Sequence, residues 1–134
     1  AMVPSESIAV AGLTLGADPL VTATSVVAAY EGRSLAALIV RKETKGHGTM
    51  AYIEGPSLPE KSSVTVLEDV VTTGQSALKA VDRLRSAGYQ VNGVLALVDR
   101  LQGGAECYQQ AEIPFQSIFT ISDLQQRWSE LHSA

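Results

Sequence analysis

The sequence predicts a three-layer α/β fold on a mainly parallel, twisted sheet, and three observations lead there. Short apolar runs alternate with helix-like segments along the 134 residues. Those runs are apolar throughout, the pattern of strands buried on both faces. Four loops rich in glycine, hydroxyl or charge each follow a run, and a parallel sheet gathers such loops at the carboxyl ends of its strands.

The elements follow in order. Residues 7–11 (SIAVA) read as a buried strand ending at Gly12. The glycine-bracketed loop 12–18 leads to Asp18-Pro19, a side-chain cap and then a residue suited to the first helical position. The helix should run over 19–30 and stop near Gly32. Residues 34–40 (SLAALIV) are a second buried strand, and loop 41–48 is abruptly polar and cationic. Residues 51–55 allow a short strand, and 56–63 a surface connection. Residues 64–67 form the next strand. A helix over 75–87 presents Ala77, Leu78, Val81 and Leu84 on one face and closes at Gly88. Strands follow over 91–98 and 117–121, and Leu124, Trp128 and Leu131 mark a closing helix with Trp128 in the core.

The length fits one domain, 1–134, large enough for a single core. Hydrophobic residues at 46% and charged residues at 18% are globular proportions. The formal charge of −4 gives no general attraction for nucleic acid or an anionic membrane. Any anion must therefore be held by local backbone and a few cations. One cysteine, Cys107, excludes an internal disulfide and suits a reducing compartment, so a cytoplasmic location is expected. No apolar stretch spans a bilayer and no signal peptide is visible. Ala1-Met2 reads as a remnant ahead of a start near Val3.

Chemistry concentrates in "VTVLEDVVTTGQS", residues 64–76. Carboxylates at the end of a buried strand need polar partners, and vicinal hydroxyls would serve. The turn behind Glu68 and Asp69 opens a helix whose first N–H groups are unpaired and favour an anion. Thr72, Thr73 and Ser76 add hydroxyls, and Gly74 permits close approach. A sugar monophosphate fits this arrangement. On the residues alone, a plain helix cap with surface acids stays open. The cationic loop "RKETKGHG" holds Arg41, Lys42, Lys45 and His47, and Gly46 and Gly48 argue for its mobility. It can close over a departing anion, with His47 as a proton donor. A solvated loop carrying charge for solubility explains the same run. Arg100, at the end of a strand, can fork onto a planar carboxylate or pair with Glu106. Cys107 reads as a half-buried small hydrophobe and His132 as a frayed terminal residue; neither a zinc pattern nor a Ser-His-Asp order is visible.

The segment 64–76 resembles the phosphoribosyl pyrophosphate signature of the type I phosphoribosyltransferases, with Thr65 and Gln75 as departures. The resemblance implies their Rossmann-like sheet, with Glu68 and Asp69 on the ribose hydroxyls and Val70, Val71, Thr72, Thr73, Gly74, Gln75 and Ser76 around the 5′-phosphate. Loop 41–48 resembles the R-K-x-x-K-x-H-G catalytic loop of orotate phosphoribosyltransferases, which makes Arg41, Lys42, Lys45 and His47 catalytic, partly across a homodimer interface. Leu13, Thr14, Leu15 and Gly16 match the pyrophosphate loop in a version without lysine, and Arg100 with Thr72 would hold orotate. Mg²⁺ is implied through substrate and water, without direct protein ligands. The implied activity is transfer of phosphoribosyl from phosphoribosyl pyrophosphate to orotate in pyrimidine biosynthesis. Relatives of this kind carry an amino-terminal hood over the base, and this chain starts at the strand before the pyrophosphate loop. It is expected to be either a shortened portion or a natural core. A non-catalytic domain that binds a nucleotide, a phosphoribosyl compound or a protein partner is the competing expectation.

Overall fold

The computed structural model describes residues 1–48 and 50–133. Its elements are β1 (Ala9–Leu13), α1 (Asp18–Tyr30), β2 (Ala36–Val40), β3 (Ile53–Glu54), β4 (Ser63–Val71), α2 (Gln75–Ser86), β5 (Gln90–Asp99), α3 (Gly104–Gln110), β6 (Phe115–Thr120) and α4 (Ile121–His132). They build one six-stranded sheet in the order β3-β2-β1-β4-β5-β6. Every pairing is parallel except that of the two-residue edge strand β3 with β2. The expected architecture is borne out.

Successive strand residues point to opposite faces, so the sheet carries two cores. On one face Val66, Leu38 and Val64 meet Ala77, Ala80, Val81 and Leu84 of α2 and Tyr108 of α3. On the other, Val10 and Leu67 meet Ala17, Val21 and Ala28 around α1. Thr65, polar within the apolar run, is buried and satisfied by Ser7 Oγ at 2.7 Å and Asn92 Oδ1 at 2.8 Å. Among the described residues no helix is long and apolar enough to cross a membrane.

Several expected boundaries shift for physical reasons. β1 runs through Gly12 to Leu13, because Gly12 is not a terminator but a contact: a Cβ there would lie 2.4 Å from Ala17 Cβ and 2.8 Å from the Leu67 carbonyl oxygen. Gly12→Ala should therefore force α1 off the sheet and cost about 1–3 kcal/mol. Urea denaturation measures this, and an unchanged midpoint would show that α1 yields freely. Asp18 is the first helical residue, not the cap; Ala17 caps α1 without a side-chain bond. β4 continues past the acids to Val71, since β5 pairs with it through Val71↔Asp99. Residues 104–110 form a helix that periodicity does not announce. α4 forms as expected, with a capping box between Thr120 and Asp123, but it buries nothing. Trp128 is 65% exposed and stacks on His132, with ring centroids 3.7 Å apart, so its expected core position is wrong.

Candidate active site

Three loops meet at the carboxyl edge of the neighbouring strands β1, β4 and β5. The chain leaves β1 toward β2 on one side and enters β4 on the other. Such a reversal of strand order opens a crevice between the loops.

The loop after β1 brings Leu13, Thr14, Leu15 and Gly16 to this crevice. Leu13 is buried as the last strand residue, and the Thr14–Leu15 peptide is cis. The Thr14 N–H donates to the Val40 carbonyl at 2.8 Å, and its hydroxyl donates to Asp18 Oδ2 at 2.8 Å. Leu15 is exposed, and Gly16 faces the second loop: a Cβ on Gly16 would come within 2.8 Å of Asp69 Oδ2.

Glu68 and Asp69 are adjacent on β4 and therefore leave its two faces. Asp69 lies against Gly16 on the α1 side. Glu68 is 6% exposed and lines a cavity of about 50 Å³ with the turn 72–76 and Tyr108. Burial, reinforced by the neighbouring Asp69, raises the Glu68 carboxyl from the usual range to about 7. Val70 is partly exposed and Val71 buried; Thr73, Gln75 and Ser76 are exposed, and Thr72 is half-buried.

Gly74 precedes α2 with φ +91°, a left-handed conformation that favours glycine. Among the described residues no side chain caps α2. The plain helix-cap explanation of the turn therefore fails. Unpaired N–H groups at the start of α2, with Thr72, Thr73 and Ser76 beside them, suit an anion.

The third loop follows β5. Asp99 is buried and accepts the Leu101 N–H at 2.9 Å, while the Arg100 N–H donates to the Val71 carbonyl at 2.9 Å. That bond sets Arg100 beside Thr72. The guanidinium is exposed, and among the described residues it has no ion pair; the alternative pairing with Glu106 is not formed.

Loop 41–48 follows β2 but is held to the side of the crevice. Arg41 Nη1 and Lys45 Nζ both reach Glu54 Oε1 of β3, at 3.0 and 3.2 Å. These cations hold the Glu54 carboxyl below its usual range. Arg83 of α2 donates to the Arg41 carbonyl, donates to the Lys42 carbonyl at 2.8 Å, and lies 3.9 Å over the Tyr52 ring. Lys42 and His47 are exposed, and among the described residues no hydrogen bond or ion pair joins this loop to Glu68 or Asp69. Arg83 and Glu54 were invisible as loop partners, because their contact spans elements distant in sequence.

Two further residues at the crevice escaped the sequence reading. A Cβ on Gly104 would lie 2.2 Å from Val71 Cγ1, so this glycine lets α3 press against the turn. Tyr108 lies beneath it. Larger hollows exist elsewhere; one of about 430 Å³ beside Tyr89 and Asn92 is lined by no acid and no uncapped turn.

No family model matches the chain. Over 130 residues it is 69% identical to the orotate phosphoribosyltransferase of Nostoc sp., covering 97% of this chain and 63% of that protein's length. The Mycobacterium tuberculosis orotate phosphoribosyltransferase, solved with 5-phospho-α-D-ribosyl 1-diphosphate, superposes with a TM-score of 0.78 at 38% identity, over 90% of this chain and 66% of that one. A phosphoribosyltransferase from Corynebacterium diphtheriae gives a TM-score of 0.77 at 43% identity, over 89% of this chain and 67% of that one. Matching these proteins in fold and over most of its own length, the chain belongs to the type I phosphoribosyltransferase family.

Proposed function

We propose that this chain is the phosphoribosyl-pyrophosphate-binding core of an orotate phosphoribosyltransferase, a single domain that transfers phosphoribosyl to orotate and releases pyrophosphate and orotidine 5′-phosphate. One observation carries the reading: an uncapped, left-handed turn stands beside a buried acid at the point where the strand order reverses.

In this reading the turn 72–76 takes the 5′-phosphate, and Glu68 and Asp69 accept the ribose hydroxyls. The backbone of Leu13, Thr14, Leu15 and Gly16 receives the pyrophosphate. Arg100 forks onto the orotate carboxylate beside Thr72. An orotate nitrogen attacks the anomeric carbon as the pyrophosphate oxygen departs, and the acids ease positive charge on the ribose. Arg41, Lys42, Lys45 and His47 close over the leaving group. Glu68 and Asp69 are hard oxygen donors that suit Mg²⁺ through its water shell, as the substrate's phosphate oxygens do directly. When bound, Mg²⁺ supplies charge neutralisation on the pyrophosphate. The reading places the protein in pyrimidine biosynthesis in the cytoplasm, as a homodimer with no nucleic-acid or membrane partner. The formal charge of −4 supports the last point.

Calorimetric titration with phosphoribosyl pyrophosphate and Mg²⁺ tests it: saturable binding is expected, and none by a folded protein would sink the reading. Arg100→Ala should weaken orotate roughly tenfold to a hundredfold, the worth of a charge-assisted pair. Phosphoribosyl pyrophosphate affinity should not change. Equal losses for both ligands would remove Arg100 from the base site.

A further inference from the structure

Tyr108 lies outside the signature and has no role in the proposed reaction. It comes from α3, is fully buried, and packs against Phe115 with ring centroids 4.9 Å apart. Its ring lies directly beneath Gly74: a Cβ there would come within 3.3 Å of the hydroxyl oxygen. That hydroxyl is buried and, among the described residues, has no hydrogen-bond partner. Buried hydroxyls are nearly always partnered, since the bonds they leave in water must be replaced. A phenylalanine would fill the same space without that deficit. The hydroxyl's residue also lines the cavity shared by Glu68 and the turn 72–76, whose volume of about 50 Å³ admits water or one corner of a phosphate.

We infer that Tyr108 is a further binding residue of the ribose-phosphate site, its hydroxyl donating a hydrogen bond to the phosphate-bearing end of the ligand from beneath the turn. The position under Gly74, at the middle of the turn, selects the phosphate over the ribose. Gly104 makes the contact possible, because a side chain there would meet Val71 and the Thr72 carbonyl and lift α3 away. Burial and the charge of Glu68 both raise the phenol's pKa, so it stays a donor across the physiological range.

The inference rests on the proposed function, and its test separates the two. Tyr108→Phe should weaken both phosphoribosyl pyrophosphate and ribose 5-phosphate about tenfold in calorimetry, as loss of a hydrogen bond to a charged group does. Inorganic pyrophosphate should bind the variant as it binds the wild type. Without ligand, the variant should melt no lower than the wild type, because it removes an unpaired buried hydroxyl. Wild-type affinity for ribose 5-phosphate in the variant would overturn the inference alone. A lower melting temperature with unchanged affinity would also overturn it, marking the hydroxyl as structural. No binding by the wild type would overturn the proposed function and this inference together. Tyrosine labelled with ¹³C in the wild type gives a reading that needs no variant: the Tyr108 ζ carbon should shift on adding ribose 5-phosphate, and a still signal would refute the contact.

Discussion

Lys45→Ala is expected to lower turnover roughly a hundredfold to a thousandfold, the usual effect of removing one preorganised group that meets developing charge. Affinity for phosphoribosyl pyrophosphate should stay within a few-fold. The separation follows from where the structure holds Lys45. Its side chain is 68% exposed and pairs with Glu54, and among the described residues it forms no ion pair with Glu68 or Asp69. Under the proposed function it would add nothing to ribose-phosphate binding and would act when loop 41–48 moves over the leaving group. The lost ion pair is exposed and contributes little to stability, so folding should not confuse the result. Steady-state kinetics with a parallel titration is the check. A fall in affinity as large as the fall in turnover would mean that Lys45 holds the ground state. An unchanged rate would remove the loop from the chemistry.

The base of the loop is organised differently from its tip. Arg83 binds the carbonyls of Arg41 and Lys42 and stacks on Tyr52, which fixes the first two loop residues against α2 and β3. The section from Glu43 to Gly48 is exposed. A run of charges cannot reveal this anchoring, because Arg83 lies 41 residues beyond Lys42 along the chain.

What could be read from the residues was local. Strands buried on both faces announce themselves as continuous apolar runs, so β1, β2, β4 and β5 were all found. The acids and the turn stood out as well, though on the residues alone a plain helix cap with surface acids explained them equally. What escaped depends on partners. Glu68 and Asp69 look like the end of a strand, yet β5 pairs with β4 beyond them and carries the ladder to Val71. Gly12 looks like a terminator until α1 is seen packed on it. Helix α3 has seven residues, too few for a periodic signal, and with it Tyr108 and Gly104 were missed. Trp128 failed the other way: an amphipathic stripe was read as a buried face, but nothing among the described residues covers it.

Glu68→Gln should flatten the pH dependence of stability and weaken phosphoribosyl pyrophosphate at alkaline pH. The wild-type carboxyl titrates near pH 7 in the fold, against a reference value of 4.5, because it is buried and shares the site with Asp69. A raised acid binds its proton more tightly when folded than when unfolded. Its contribution is therefore fully present below the unfolded value and is lost as pH rises through about 7. The loss is at most about 3 kcal/mol between pH 4.5 and 8. Glutamine cannot ionise, so the variant should keep that stability, and at pH 8 it should resist urea better than the wild type. Binding has the opposite sign. An ionised Glu68 accepts more ribose hydroxyl bonds than a protonated one, so wild-type affinity should climb as pH rises from 6 to 8. The ligand's phosphate titrates in the same range, but that term is common to both proteins and cancels when they are compared. Glutamine should remove the residual climb and leave affinity at pH 8 about tenfold lower. Asp69→Asn should shift the stability loss toward lower pH, since it removes the charge that helps to raise Glu68. Parallel urea denaturation and calorimetry across that range would decide the matter. If the wild type and Glu68→Gln lose stability along the same slope, Glu68 is not the titrating group, and the buried acid is ionised throughout.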